Sequence, residues 1–408
     1  MTRAALRTWK EFVAGAEEPI VVHLPRNLGG NTSMLSAAMR ELGASSMSIS
    51  FEDDPFGFRS DITICSPDDS LLRKEFRRLA WIFRVIRHAD ILHFNSGTTL
   101  AMPSDDTVRM PGRTAATWRV LRALHARYTD MLQSVELLAA RILGRKMYMT
   151  FQGDDLRQGD RSLTRFEISI AQHVGRDYYN PRSDKRKRRL LSRYRRRGMR
   201  FFVLNPDLNW FLDGAGAFLP YSNAGAEDDA VARRHATGDM VRIVHAPSHR
   251  AAKGTARIEE VISALRSSGL QFEFEMIEGL DNEEAQRRIS SADLLIDQLF
   301  AGWYGGVAVE AMIQGVAVMS YIREDDLVHV PAEMRDQLPI LRADADSLAA
   351  QVEWYLDLTD SERRTISVNC AAFARRWHSP SAVASRVLDE YAKRVTPQSV
   401  TTLGSSPL

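Results

Sequence analysis

Four short segments hold the residues whose types and spacing suit chemistry, and each follows an apolar run. The first is Leu24 to Ser33 (LPRNLGGNTS). Gly29 and Gly30 allow close backbone approach, and Asn31 or Thr32 is placed to cap a following helix whose free N–H groups favour an anion. A plain tight turn accounts for the same residues, and the G-x-G-x-x-G spacing and the P-loop lysine are both missing. The second is Phe151 to Arg157 (FQGDDLR). There Gln152 and the pair Asp154 and Asp155 suit sugar hydroxyls or the orienting of a reacting group, or else a carboxylate caps a helix. The third is His245 to Gly254 (HAPSHRAAKG), with Arg250 and Lys253 three apart at the start of a helix. Two cations beside the positive end of a helix are a poor arrangement for stability alone, and a diphosphate resolves it. Two solvated side chains are the plainer account. The fourth is Gly302 to Gly315 (GWYGGVAVEAMIQG). Gly305 and Gly306 present bare amides at a helix start, and Glu310 lies about one turn in, where it needs a ligand hydroxyl or an internal ion pair as partner.

These segments require strands to carry them. Apolar or β-branched runs at 20–24, 46–51, 62–65, 91–94, 147–151 and 201–204 alternate with helical patterns at 32–42, 71–88 and 115–143. After a gap, runs at 241–246, 272–277, 294–300, 316–321 and 339–341 alternate with helices at 256–267, 283–290 and 307–314. The alternation predicts parallel sheets covered on both faces. Eleven strands suit two doubly wound α/β domains facing a central cleft, with ligands at the carboxyl ends of the strands. The polar, Ala/Gly-rich stretch at 222–239 reads as the linker. The first domain then covers 1–221 and the second 240–378, followed by a terminal helix at 379–394 and a frayed tail at 395–408.

A chain of 408 residues exceeds a single core of ~250–300 residues, which again favours two domains. Hydrophobic residues at 44% and charged residues at 26% exclude a mainly disordered or coiled-coil chain. Cys65 and Cys370 are too few for a disulfide framework or a paired zinc site, and Asp344-Ala-Asp346 has a D-x-D spacing that metal sites use but precedes a helical segment and reads as a cap. The polar start has no signal-peptide core, and the most apolar stretch, 298–322, contains Glu310 at its middle. A soluble, cytoplasmic protein is expected. Net charge is only +2, yet nine basic residues and no acid fall between 185 and 197 (Lys185, Arg186, Lys187, Arg188, Arg189, Arg193, Arg195, Arg196 and Arg197). That run is either a solvated helix face or a patch for an anionic membrane surface or polyanionic substrate. Nucleic acid fits less well, because Tyr194 is the single aromatic in the run.

In order along the chain, these motifs resemble the GT-B glycosyltransferases of the large retaining group related to glycogen and sucrose synthases. Gly305, Glu310, Ala311, Met312, Gly315 and Val318 fall in register with that group's E-x7-E segment, and Arg250, Lys253 and Gly254 with its R-x-x-K-G. The Gly29–Gly30 loop resembles its glycine loop, and 151–155 its T-x-H-G-x-D segment. The resemblance, spanning roughly 20–391, implies a nucleotide-sugar co-substrate and no cofactor. Glu310 would hold the ribose, Arg250 and Lys253 the diphosphate, and Gly305 and Gly306 the distal phosphate or sugar. Tyr304, Gly29, Gly30 and Gln152 join the binding set, and Asp154 the catalytic set. The helix near 381–391 would return to the first domain. Two positions depart from the pattern: the first Glu falls on Gly302 and the His on Gln152. They motivate the alternative of a non-catalytic sugar-nucleotide or glycan binding protein on the same scaffold.

Overall fold

The computed structural model describes residues 3–54, 57–101, 115–223 and 240–393. The expected linker, apart from Ser222 and Asn223, and the expected tail at 395–408 lie outside the described residues. The first sheet contains β1 (Val21–Leu24), β2 (Ser46–Ser50), β3 (Ile62–Thr63), β4 (Ile91–Asn95), β5 (Lys146–Phe151), β6 (Arg200–Val203) and β7 (Gly216–Phe218). Its spatial order is β3-β2-β1-β4-β5-β6-β7, and every pairing is parallel. The second sheet contains β8 (Arg242–His245), β9 (Glu273–Met276), β10 (Leu294–Ile296), β11 (Ala317–Ser320) and β12 (Leu341–Arg342), in the order β12-β11-β10-β8-β9, again all parallel. Two doubly wound α/β domains are therefore present. The apolar runs became strands because both faces of each sheet are covered: all residues of β1, β2, β4 and β10 are buried. One strand escaped the pattern. β7 is a three-residue edge strand that opens on Gly216 and carries no apolar run.

One face of the first sheet packs on the Leu71–His88, Ala115–Ile142 and Pro181–Arg196 helices through Trp81, Val85, Leu137, Leu191 and Tyr194. The other face packs on the Asn31–Glu41 helix and on the last helix, Pro380–Ala392, which crosses from the second domain. Tyr391 anchors that crossing. Its hydroxyl is hydrogen-bonded to buried His93 at 2.6 Å, and its ring packs 4.6 Å from that of Tyr148. The two chain crossings meet at one point. His378 donates from Nδ1 to the Tyr221 carbonyl (2.9 Å) and accepts at Nε2 from the Tyr304 hydroxyl (2.8 Å). A carbonyl only accepts, so Nδ1 carries the proton. Burial pushes that imidazole down to about 4.

The strand order reverses between β1 and β4 in the first sheet and between β8 and β10 in the second. At such reversals the following loops separate to opposite faces and leave a crevice at the carboxyl ends of the strands. The crevices of the two sheets face each other. On one flank the domains already touch: His173 stacks on Phe300 at 3.5 Å, and Tyr178 meets His249 edge-on at 4.8 Å.

Candidate functional site

The second sheet builds the more unusual crevice. From β8 the chain passes His249, whose ring accepts from the Ala252 amide (3.2 Å), and makes one helical turn, Arg250–Lys253. Gly254 follows at φ +82, and a side chain there would press on Leu299 and Phe300 just beyond β10. This tight seat delivers Lys253 to Asp297, the first residue after β10, at 2.5 Å. The Asp297 carboxylate is fully buried and also accepts from the Gly305 amide at 2.7 Å. At Gly305 a β-carbon would lie 3.1 Å from the Lys253 ammonium, so the absence of a side chain there leaves the lysine room to reach Asp297. The Gly306–Ile313 helix starts at that point with no side-chain cap. An ammonium, three donors strong, thus stands beside an uncapped helix start, with one buried carboxylate between them. This is a set of donors suited to an anion.

Glu310 forms part of the wall of the adjoining cavity of ≈ 840 Å³, open between Met34, Gly57 and Phe58 of the first domain and the 281–290 and 310–314 segments of the second. Its carboxylate accepts from Asn223 Nδ2 (3.0 Å) and from the Gln286 amide, and Gln314 steadies Gln286 at 2.8 Å. These are neutral partners, not an ion pair. Burial pushes the Glu310 carboxyl above its ordinary range, and the two amide bonds hold that rise back.

The first domain presents a different picture. Gly29 and Gly30 both have positive φ, but the open side of Gly30 is taken by the Phe58 ring, which a β-carbon would strike at 2.6 Å. The glycine loop therefore seats an aromatic of its own chain against Gly30 rather than baring that residue to a ligand. Neither Asn31 nor Thr32 caps the helix. Asn27 Oδ1 accepts from the Ser33 amide (3.0 Å), and Asn31 turns instead to the Ser222 amide at the crossing (2.9 Å). Asp155 accepts from the Gln152 and Gly153 amides and closes its own loop. Asp154 is held by the hydroxyls of Tyr178 and Tyr179, with Arg157 at 3.6 Å. Burial favours its neutral form, but Arg157 and the two hydroxyls outweigh that and keep the carboxyl below its usual range. Asp154 is a satisfied anion facing His249 through Tyr178, which is a poor base and a fair positioning group. The Gln152 Nε2 atom is buried without a hydrogen-bond partner.

Other expected members fall elsewhere. Arg250 does not join Lys253: it reaches outward to Glu259 and Glu278, each at 2.6 Å. Tyr304 is fully buried, stacked on Trp303 at 4.5 Å and bonded to His378, so its side chain belongs to the core. The Gly305 amide is taken by Asp297, which leaves the helix start at Gly306 as the part open to an anion. The basic run forms the Pro181–Arg196 helix but is not uniformly displayed. Lys187 donates to the Arg157 carbonyl (2.6 Å), Arg188 pairs with Asp160, Arg193 with Asp130 and Arg195 with Asp213. Gly302 sits at φ +80, and the space a side chain would enter there is filled by the Arg323 guanidinium, 2.4 Å from its ideal β-carbon. Arg323 pairs with Asp326 (2.6 Å) and donates to the Ile168 carbonyl of the first domain (2.6 Å). Reading the residues missed Asp297, Asn223 and Gln286. Asp297 left a signal, a carboxylate directly behind an apolar strand, whereas the two amides left none. Among the described residues no group of His, Cys, Asp and Glu gathers as a metal ligand set.

No family model matches the chain, and no curated protein matches it. Solved structures do resemble it. Sucrose-phosphate synthase from Thermosynechococcus elongatus is 12% identical over 92% of this chain and 98% of that one, with a TM-score of 0.49. Anabaena HepE, solved in complex with UDP-glucose, is 11% identical over 91% and 98%, with a TM-score of 0.49. The glycosyltransferase SnogD from Streptomyces nogalater is 15% identical over 91% and 100%, with a TM-score of 0.43.

Proposed function

We propose that this chain is a glycosyltransferase that moves a sugar from a nucleoside-diphosphate sugar to an acceptor hydroxyl, with retention at the anomeric carbon and without a metal. One observation carries the reading: the Lys253 ammonium stands beside an uncapped helix start at the strand reversal of the second sheet, and Asn223, which donates to the Gly306 carbonyl of that helix, lines with Glu310 the cavity between the domains. In the transfer the bond from the anomeric carbon to the diphosphate oxygen breaks, and a bond to the acceptor oxygen forms. The acceptor proton leaves with the diphosphate. Charge builds on the departing phosphate, and preorganised donors stabilise it without reorganising. Lys253 and the first amides of the Gly306–Ile313 helix take that role. Asp297 holds Lys253 in place, and Glu310 accepts from the ribose hydroxyls once Gln286 or Asn223 yields. Arg250 approaches the diphosphate only by leaving exposed carboxylates, and such pairs are weak.

The test is incubation of the purified protein with UDP-, GDP-, ADP- and TDP-sugars, with and without extracted cell-envelope acceptors, while nucleoside diphosphate is measured. Acceptor-dependent release supports the transferase. Binding with no release above background marks the non-catalytic sugar-nucleotide binder, the reading that Gly302 and Gln152 motivate.

A further inference from the structure

The outer face of the first domain carries an arrangement that the cleft does not explain. On the Leu71–His88 helix, the buried residues Trp81, Ile82, Val85 and Ile86 face the sheet. On the opposite side Leu72, Phe76, Leu79 and Phe83 repeat at helical spacing, with Leu72, Phe76 and Phe83 exposed at 85%, 71% and 66%. The neighbouring Ala115–Ile142 helix does the same. It buries Gln133, Glu136, Leu137 and Ala140, and it exposes Met131, Val135, Leu138 and Ile142. The two helices lie side by side, joined by the Tyr128 hydroxyl donating to Glu75 at 2.5 Å. Both helices pack on the same sheet face through their other sides, so both apolar stripes look outward, and exposed apolar surface of this kind marks a contact site.

The third helix on the same face is Pro181–Arg196, fastened to the second through Tyr194, Gln133, Arg193 and Asp130. Its outward stripe is Lys185, Arg189, Ser192 and Arg196, all exposed. Lys185, Arg189 and Arg196 make no ion pair among the described residues, whereas Arg188 and Arg193 pair with Asp160 and Asp130 and Lys187 donates inward to the Arg157 carbonyl. The helix thus sorts its cations, satisfying one side within the fold and leaving the other side unneutralised.

We infer that this face binds an anionic lipid surface, with the Leu72–Phe83 and Met131–Ile142 stripes entering the acyl boundary and the Lys185–Arg196 stripe meeting headgroup phosphates. A bilayer offers apolar matter and fixed negative charge at adjacent depths, which matches stripes set side by side. No helix among the described residues is long and apolar enough to cross a membrane, so the contact is peripheral. The inference stands apart from the sugar chemistry and survives if that reading fails.

The test uses the full chain in co-sedimentation with phosphatidylcholine vesicles, with or without phosphatidylglycerol at 30 mole per cent or so. The expected result is at least ~10-fold stronger binding to the anionic vesicles, weakened by raised salt. Phe76→Ser with Phe83→Ser abolishes binding to both, and Lys185→Glu with Arg189→Glu removes only the anionic preference. Unchanged circular dichroism melting shows that both variants fold. Equal binding to neutral and anionic vesicles overturns the inference, as does no binding to either. A concentration-dependent dimer in sedimentation velocity, lost in the Phe76 and Phe83 variant without any vesicle binding, overturns it in favour of self-association.

Discussion

The two crevices are built from similar parts and put them to opposite use. At the strand ends of the first sheet every singled-out polar side chain but the Gln152 amide is satisfied by its own domain or by the chain crossing: Asp154 by Tyr178, Tyr179 and Arg157, Asp155 by two amides, Asn31 by Ser222. At the strand ends of the second sheet donors outnumber acceptors. Lys253 and an uncapped helix start share a single buried carboxylate, and Glu310 is bonded only by exchangeable amides in a cavity wall. Clustering of polar residues behind a strand is not by itself a site. A site needs charged donors left over, which the second crevice has, whereas the first leaves only the neutral Gln152 amide unpaired.

The contrast breaks most sharply at Lys253. Lys253→Ala is expected to lower transfer by ~10²-fold or more, the range for losing one preorganised charge-stabilising donor. Asp154→Asn, on the balanced side, should cost far less once folding is controlled by thermal melting. Equal losses in steady-state kinetics would erase the distinction. Next in size is Glu310→Gln, which keeps the shape and loses the acceptor charge. An increase of about tenfold in KM with kcat nearly kept is the expected outcome, because ribose contacts are uniform binding.

A third effect concerns the crossings that set the two crevices against each other. His378 at the crossing and His245 at the end of β8 are held neutral by burial, each pushed down to about 4. Unfolded histidine takes up its proton near 6.5, so their contribution is full above that pH and is lost as pH falls from about 6.5 toward 4. Each imidazole contributes a slope on the order of 1 kcal/mol per pH unit in that window. Urea denaturation at pH 7 and pH 5 measures it, and His378→Gln should flatten the dependence. The smallest effect is expected at Arg250, where Arg250→Ala should change turnover less than about threefold, because its guanidinium is drawn outward to Glu259 and Glu278.

Much of this architecture was legible in the residues. Eleven of the twelve strands were visible as apolar runs because parallel strands are buried on both faces, and the exception, Gly216–Phe218, is a three-residue edge strand too short and glycine-led to form such a run. The positions of Lys253, Gly305 and Glu310 followed from loops behind strands. What the spacing hid was direction. Arg250 and Lys253 look alike in sequence, yet the single turn between them points one to the rim and the other to Asp297. Tyr304 sits beside two glycines and still belongs to the core, since His378, 74 positions away, claims its hydroxyl. The cations of the 185–197 run are sorted by helix phase, which depends on where Leu191 and Tyr194 find their core. Such assignments depend on partners distant in the chain.

Isothermal titration calorimetry with UDP, GDP, ADP and TDP at millimolar concentration tests the excess of donors around Lys253 most directly. At least one nucleotide should bind with measurable heat to the native chain and at least ~10-fold more weakly to Lys253→Ala, about 1.4 kcal/mol or more. Silence from all four, or an affinity indifferent to Lys253, would contradict a diphosphate site in the second crevice.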